Sequence, residues 1–183
     1  MVAPLPGWLV PDWPAPPSVR AVFTTRQGGV SAAPFDSFNL GDHVGDAPAA
    51  VAANRDRLHQ ALGAQPVFMR QVHGVRTADL DAWSPDAAET VADACSTARS
   101  GLACTVMVAD CLPVLFCTRD GRAVGAAFSI QRAVGWARSR RSPCFNASTI
   151  ERPSTGLIDS QRVVMPPSAR IVTCFFAAAR AQT

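Results

Sequence analysis

The chain has 183 residues, and 48% of them are hydrophobic, which is enough apolar surface for the core of one ordinary domain. Its net charge of +3 is too small to indicate a nucleic-acid or membrane-surface binder. No stretch approaches the roughly 18–20 apolar residues of a membrane-spanning helix, and the proline-rich N-terminus lacks the features of a signal peptide. We therefore expect a cytoplasmic protein.

The first part of the chain predicts a strand, a loop, a helix and a second strand, in this order. A strand is predicted over 21–25, and a loop rich in Asp, Ser, Asn and Gly follows over 35–45. Asp46 is a candidate N-cap for a helix that Gly63 would end, and its apolar positions at helical spacing are Val51, Leu58 and Leu62. The next strand is predicted over 66–72.

The stretch 101–118 is almost entirely apolar and indicates two buried strands joined by a sharp turn. The turn is predicted at 109–111 and the second strand at 114–117. A hairpin turn at Asp120-Gly121 then leads into a strand over 123–127. Strands outnumber helices and no strand–helix alternation is evident. The predicted fold class is therefore α+β, a layered sandwich with mixed β-sheets flanked by helices.

The balance of charged residues and the hydrophobic periodicity both change near Ala127. Residues 1–127 contain nine Arg against twelve Asp and Glu, whereas residues 128–183 contain eight Arg against two acidic residues. No clear hydrophobic period is present between Phe128 and about residue 170, so we expect this stretch to be poorly structured. The sequence thus divides into residues 1–127 and a basic tail, residues 128–183.

A few residues of these segments are candidates for metal binding or catalysis. Asp110 is the only charge in the apolar stretch, and a buried carboxylate is costly unless it is paired. Either Asp110 caps the turn by accepting backbone N–H bonds, or it orients Cys111, whose thiolate suits a metal ligand or a nucleophile. His73 ends a predicted strand just before Gly74, and His43 is a second loop histidine. Such a mixture of groups favours zinc over calcium or magnesium.

The cysteines form no Cys-x-x-Cys pair, which argues against a zinc ribbon or a thioredoxin-type motif. In a reducing compartment, all except Cys111 are expected to be thiols that act as small core hydrophobes. The six cysteines are Cys95, Cys104, Cys111, Cys117, Cys144 and Cys174.

Several motifs in a fixed order carry a family resemblance, and together they cover nearly all of residues 11–127. They are T-T-R-Q-G-G-V-S at 24–31, P-F-D-S-F-N-L-G at 34–41, H-V-G-D at 43–46, Q-V-H-G at 71–74, A-D-A at 92–94 and A-D-C-L-P-V at 109–114. The sequence resembles the family first described as multicopper polyphenol oxidases or laccases, and since regarded as zinc-dependent purine nucleoside phosphorylases.

The resemblance implies a metal held by His73 and Cys111, together with a second histidine that opens an H-A-G-W-R-G segment after the strand at 123–127. It implies zinc as this metal, with copper as the older alternative. It also implies phosphorolysis of adenosine, inosine and methylthioadenosine, with purine nucleosides and phosphate as partners, and deamination of adenosine. Arg26 is expected to contact phosphate or substrate, and Asn39 to line the same pocket.

The sequence departs from the family at this metal site. Phe128-Ser129-Ile130-Gln131-Arg132-Ala133 stands where H-A-G-W-R-G is expected, and no histidine follows His73. We therefore expect a YfiH-like fold with an incomplete C-terminal part, and hypothesise that a frameshift or rearrangement replaced the region after Ala127. A non-catalytic, truncated family member is one alternative. A copper phenol oxidase is the other, although three separate copper types would need many more than three histidines.

Overall fold

The computed structural model describes residues 7–109 and 111–128 in full, and the backbone of residues 145–149 and 170–176. One α-helix, α1, spans Pro48–Leu62 within these residues, and a 3-10 turn spans Leu80–Ala82. The strands are β1 (Val19–Phe23), β2 (Gln65–Val67), β3 (Thr77–Asp79), β4 (Ala94–Thr97), β5 (Leu102–Val108), β6 (Pro113–Thr118), β7 (Val124–Phe128), β8 (Phe145–Thr149) and β9 (Arg170–Phe176).

The strands form two sheets. The first has the order β1-β9-β5-β2 and is parallel throughout. The second has the order β3-β4-β7-β6-β8, with β3 and β4 parallel and the other neighbours antiparallel. The predicted α+β class with mixed strand pairing is confirmed. A parallel sheet was not evident from the sequence, because its neighbouring strands come from distant parts of the chain and not from successive strand–helix–strand units.

Two of these strands belong to the segment after Phe128. Strand β9 lies between β1 and β5, with Val19 opposite Arg170 and Ala103 opposite Ile171. Strand β8 pairs with β6 at the edge of the second sheet, inside the stretch for which the sequence predicts poor structure. Edge pairing uses backbone groups that every residue carries, so the side-chain pattern gives little local signal for it.

Helix α1 begins one residue later than predicted. Its N-cap is Ala47 and makes no side-chain capping bond, so the prediction of Asp46 as N-cap is wrong. The Asp46 carboxylate instead accepts hydrogen bonds from the Ser31 hydroxyl at 2.7 Å and the Asn39 amide at 2.9 Å. The helix ends as predicted at Gly63, which is left-handed with φ 62°. No helix in the described part of the chain has the length and apolarity needed to cross a bilayer.

The core lies between the sheets and under the helix. All seven residues of β5 are buried. The larger core cluster combines side chains of β5 with side chains of β6 and β7. Cys95, Cys104 and Cys117 are buried free thiols within this cluster, as expected for small core hydrophobes. Burial raises the pKa of the Cys117 thiol. A second cluster packs the inner face of α1 against the preceding loop and includes Phe38, Leu40, Leu58 and Leu62.

Candidate functional site

His73 lies in an exposed turn whose backbone is held by a buried carboxylate. Its φ is 58°, which makes it the one non-glycine residue with left-handed backbone among those the structure describes. Asp93 Oδ1 accepts the N–H groups of Val72 at 2.9 Å and His73 at 2.7 Å, and Asp93 Oδ2 accepts that of Gly74 at 2.9 Å. Asp93 is only 3% exposed. These hydrogen bonds therefore hold the backbone that carries the imidazole in one conformation.

Asp93 also fixes the end of strand β7. Its carbonyl accepts the N–H of Phe128 at 2.8 Å, and its own N–H donates to the carbonyl of Arg76 at 3.0 Å. No role was predicted for Asp93, although it is the acidic residue of the A-D-A motif directly before β4. The signal in the sequence is a single carboxylate between two alanines, because a carboxylate that is buried there needs hydrogen-bond partners.

The imidazole of His73 contacts the ring of Phe128. The ring centroids are 4.6 Å apart and the planes are inclined by 71°, an edge-to-face arrangement. Phe128 is buried, whereas His73 is exposed. Position 128 opens the segment in which the resemblance implies a second histidine. The structure thus places the residue that replaces this histidine directly against His73.

Cys111 lies at the same end of β7. It is half-buried and packs against the core cluster that contains Phe128. The antiparallel pairing of β6 with β7 sets Pro113, two residues after Cys111, opposite Phe128. Close approach of the Cys111 thiol and the His73 imidazole stays a prediction, and Asp110 lies outside the described residues.

The donors at this end of β7 do not fit the three-ligand zinc site that the resemblance implies. His73 and Cys111 supply two donor atoms, whereas the ring of Phe128 supplies none. The oxygens of Asp93 are directed at backbone N–H groups. Within residues 7–109 and 111–128, no group of three or more His, Cys, Asp and Glu side chains could hold a metal ion. The side chains described here therefore depart from the implied metal site.

Arg26 is exposed and braces its own loop. Its Nε donates to the carbonyl of Asp36 at 2.9 Å, and its Nη2 donates to the carbonyl of Pro34 at 3.0 Å. Nη2 also forms an ion pair with the Asp36 carboxylate at 3.5 Å, and both side chains are more than half exposed. Such a solvent-exposed pair contributes little to stability and leaves the guanidinium accessible to other anions.

Asn39 is buried, and its side chain is used within the loop. Its amide N–H groups donate to the Asp46 carboxylate at 2.9 Å and the Gly41 carbonyl at 3.0 Å, while its oxygen accepts the Gly41 N–H at 3.1 Å. Asn54 of α1, to which the sequence patterns assign no role, donates to the Asn39 carbonyl at 2.9 Å and accepts the Val30 N–H at 2.9 Å. Asn39 therefore shapes the loop that Arg26 braces.

Large apolar side chains are exposed on either side of His73 in the sequence and directly after Cys111. Val72 is 50% exposed, Val75 is 70% exposed and Leu112, which follows Cys111, is 36% exposed. These are three of the five large hydrophobic residues that are exposed in the described part of the chain. Exposed apolar groups beside polar ones are typical of a surface that contacts a partly apolar ligand.

Comparison with known families matches residues 20–137 to a family described as multi-copper polyphenol oxidoreductase laccase, so the match extends past Ala127. A purine nucleoside phosphorylase of Pseudomonas aeruginosa is 53% identical over 130 residues, which are 71% of this chain and 50% of that protein. The purine nucleoside phosphorylase YfiH of Escherichia coli is 48% identical over 130 residues, covering 70% of this chain and 51% of YfiH.

Solved structures show the same similarity. A Neisseria meningitidis protein of the DUF152 family superposes with a TM-score of 0.65 and 42% identity, over 71% of this chain and 53% of that one. The Bacillus licheniformis protein YfiH superposes with a TM-score of 0.56 and 29% identity, over 71% of this chain and 57% of that one. The chain spans about half the length of the curated relatives it matches. By sequence and fold, it belongs to the multi-copper polyphenol oxidoreductase laccase family, with the YfiH-like proteins named as purine nucleoside phosphorylases.

Proposed function

We propose that this chain binds purine nucleosides and phosphate at the end of β7, and that its phosphorolysis is weak or lost. The observation that carries this proposal is the contact between His73 and Phe128, whose ring centroids are 4.6 Å apart. The turn that presents His73 is intact, whereas the neighbouring position holds a ring without a donor atom. The names of the relatives, which are purine nucleoside phosphorylases, support the substrate class.

The surroundings of His73 suit a nucleoside. A purine base has two apolar faces and a polar edge, and Val72 and Val75 offer exposed apolar surface next to His73 in the chain. We assign exposed Leu112, which follows Cys111, to the same surface. An imidazole nitrogen can donate to or accept from a ribose hydroxyl or a base nitrogen. The proposal therefore assigns the base to this apolar surface and the polar edge of the nucleoside to His73.

Arg26 is the proposed phosphate contact, and Asn39 is assigned a supporting part. A guanidinium binds phosphate oxygens through paired N–H groups, and the exposed ion pair with Asp36 is weak enough for phosphate to replace it. Asn39 is too fully bonded to serve as a contact, since both ends of its amide are paired within the loop. It instead fixes the loop beneath Arg26.

The reaction itself needs two events at the glycosidic carbon. A phosphate oxygen forms a bond to C1′ of the ribose while the bond from C1′ to the base nitrogen breaks, and the departing purine takes the electron pair and then a proton. His73 is an exposed imidazole at this end of β7, and we assign it the transfer of that proton. We assign Cys111 to the same end, where its half-buried thiol lines the reacting side of the pocket.

A phenol oxidase with several copper ions is less well supported. The whole sequence holds three histidines, and two of them, His43 and His59, are exposed on a loop and on α1. Separate copper centres of different types would need many more imidazoles than these.

The proposal is tested by titrating inosine into the protein with and without phosphate, and by following phosphate-dependent release of hypoxanthine. We expect saturable inosine binding that His73→Ala weakens at least about tenfold, as for loss of a hydrogen bond in a binding site. The matched control, His59→Ala, should bind like the wild type, because His59 is exposed on α1. Hypoxanthine release should stay near background.

Adding zinc to the Phe128→His variant should also leave turnover near background. One imidazole does not restore the rest of the family motif, in which glycine stands where this sequence has the β-branched Ile130. Absence of inosine binding at millimolar concentration would overturn the proposed ligand class. Robust turnover by the wild type would overturn the proposed loss of activity.

A further inference from the structure

Asp93 connects the two rings of the candidate site through the backbone. Its carboxylate accepts the N–H groups of Val72, His73 and Gly74 at 2.9, 2.7 and 2.9 Å. Its carbonyl accepts the N–H of Phe128 at 2.8 Å. One buried residue therefore sets both the turn that carries the imidazole and the strand end that carries the phenyl ring.

The geometry of the turn depends on this carboxylate. Three consecutive N–H groups that converge on one acceptor form a concave anion site, here filled from within the protein. Hydrogen bonds to a charged acceptor are about twice as strong as neutral ones, and together they offset the cost of left-handed backbone at His73. Without them, His73 would relax towards ordinary backbone angles and its ring would turn away.

We propose that Asp93 is the positioning residue of His73. It fixes the backbone of the turn, and thereby the angle of the imidazole against Phe128 and, if the proposed function holds, against the nucleoside. Asp93 makes no ligand contact in this role. Its carboxylate faces inward, since the residue is 3% exposed and its oxygens accept three backbone N–H groups.

Gly74 is a second position at which a substitution can disturb the hydrogen bonds of the Asp93 carboxylate. A Cβ added at Gly74 would lie 3.2 Å from Asp93 Oδ2 and 3.6 Å from Val72 Cγ2. The first distance is tighter than ordinary packing, so an alanine would displace the carboxylate by a few tenths of an ångström. Gly74 is exposed, and the substitution should therefore disturb the turn without unfolding the core.

The test compares Asp93→Asn with the wild type by NMR. The amide has the size of the carboxylate, but its NH2 group cannot accept, so at least one N–H of the turn loses its partner. We expect amide exchange at Val72, His73 and Gly74 to accelerate about tenfold or more, and the nuclear Overhauser contact between the His73 and Phe128 rings to be lost. Gly74→Ala should produce smaller changes in the same direction, and it decides the question if Asp93→Asn does not fold.

Asp81→Asn is the matched control. Asp81 Oδ1 accepts the N–H groups of Ala98 and Arg99 and the hydroxyl of Thr97, in a comparable arrangement away from the His73 turn. This variant should lower the melting temperature but leave the ring contact as in the wild type. A folded Asp93→Asn protein with unchanged exchange and ring contact would overturn the proposal, as would an equal loss of ring contact in Asp81→Asn.

These measurements need no ligand, so they are independent of whether inosine binds. If inosine binds, its affinity should fall in Asp93→Asn and stay unchanged in Asp81→Asn, which a purely structural part for Asp93 would not produce. If inosine does not bind at all, the proposed function fails, while the exchange and ring-contact results still decide the part played by Asp93.

Discussion

At the scale of single residues, buried amides and carboxylates organise the loops around the site. Asn54 donates to the Ser31 hydroxyl at 2.9 Å, the Ser37 carbonyl at 3.2 Å and the Asn39 carbonyl at 2.9 Å, and it accepts the Val30 N–H at 2.9 Å. It is completely buried, so water cannot replace these partners.

Asn54→Ala should therefore lower the free energy of unfolding by about 3 kcal/mol, because several buried polar groups lose their partner at once. Urea unfolding followed by circular dichroism measures this change. Gln60→Ala is the control on the same helix, where the exposed amide donates to Asp56, and it should stay within about 0.5 kcal/mol of the wild type. A loss below about 1 kcal/mol for Asn54→Ala would contradict the importance of the network.

Asp81 makes the free energy of unfolding depend on pH in the acidic range. The hydrogen bond from the Thr97 hydroxyl holds the pKa of Asp81 below its ordinary value, and the N–H groups of Ala98 and Arg99 act in the same direction. Because the pKa is lower in the folded than in the unfolded protein, the carboxylate stabilises the fold above about pH 4. This contribution is lost as the pH falls through the folded pKa.

Thr97→Val removes the largest cause of that shift while it keeps the shape of a buried side chain. Melting temperatures between pH 7 and pH 3 should fall less steeply for this variant than for the wild type, and Thr77→Val, at an exposed position of β3, should follow the wild type. Equal slopes for Thr97→Val and the wild type would show that another acid governs the pH dependence.

Sequence motifs name candidate site residues but not the residues that support them, and the roles of the candidates stay predictions. His73 and Cys111 could be named because they stand in the Q-V-H-G and A-D-C-L-P motifs, and the structure sets both at the end of β7. Asp93 and Asn54 could not be assigned a part, because their partners are backbone groups brought together only by the fold. Arg26 and Asn39 were expected around one pocket, and the structure describes their bonds within one loop.

At the scale of elements, local signals located boundaries where the chain itself sets the geometry. The end of α1 was predictable from Gly63, since a left-handed residue is needed there. The hairpin between β6 and β7 was predictable from Asp120-Gly121 and the flanking apolar runs. The predicted strand over 66–72 is shorter in the structure, where β2 spans Gln65–Val67, because its remainder turns towards His73.

Gly63→Ala tests the termination of α1. A Cβ at Gly63 would meet nothing within 4 Å, so any effect comes from the left-handed backbone at φ 62° and not from a clash. The free energy of unfolding should fall by about 1 kcal/mol, as measured by chemical denaturation. Gly63→Asn should cost less, because asparagine tolerates this conformation better. Equal stability of Gly63→Ala and the wild type would place the end of the helix elsewhere.

At the scale of the whole molecule, the two sheets are built from strands far apart in sequence, which local patterns cannot pair. Strand β9 enters the parallel sheet between β1 and β5 from beyond the last family motif. The family match nevertheless ends at residue 137, and the chain covers about half of its relatives. The division into residues 1–127 and 128–183 stays a proposal that rests on the positions of the family motifs and on the concentration of basic residues in the second part, and the family match crosses this boundary.

The proposal that the metal site lacks a ligand is tested most directly by calorimetric titration of zinc into the wild-type chain and into Phe128→His. The wild type should bind zinc more weakly than micromolar, because His73 and Cys111 offer two donors and Phe128 offers none. Phe128→His should bind at least about tenfold more tightly, since it adds an imidazole beside His73. Sub-micromolar binding by the wild type, unchanged in the variant, would contradict the incomplete site and point to a donor other than residue 128.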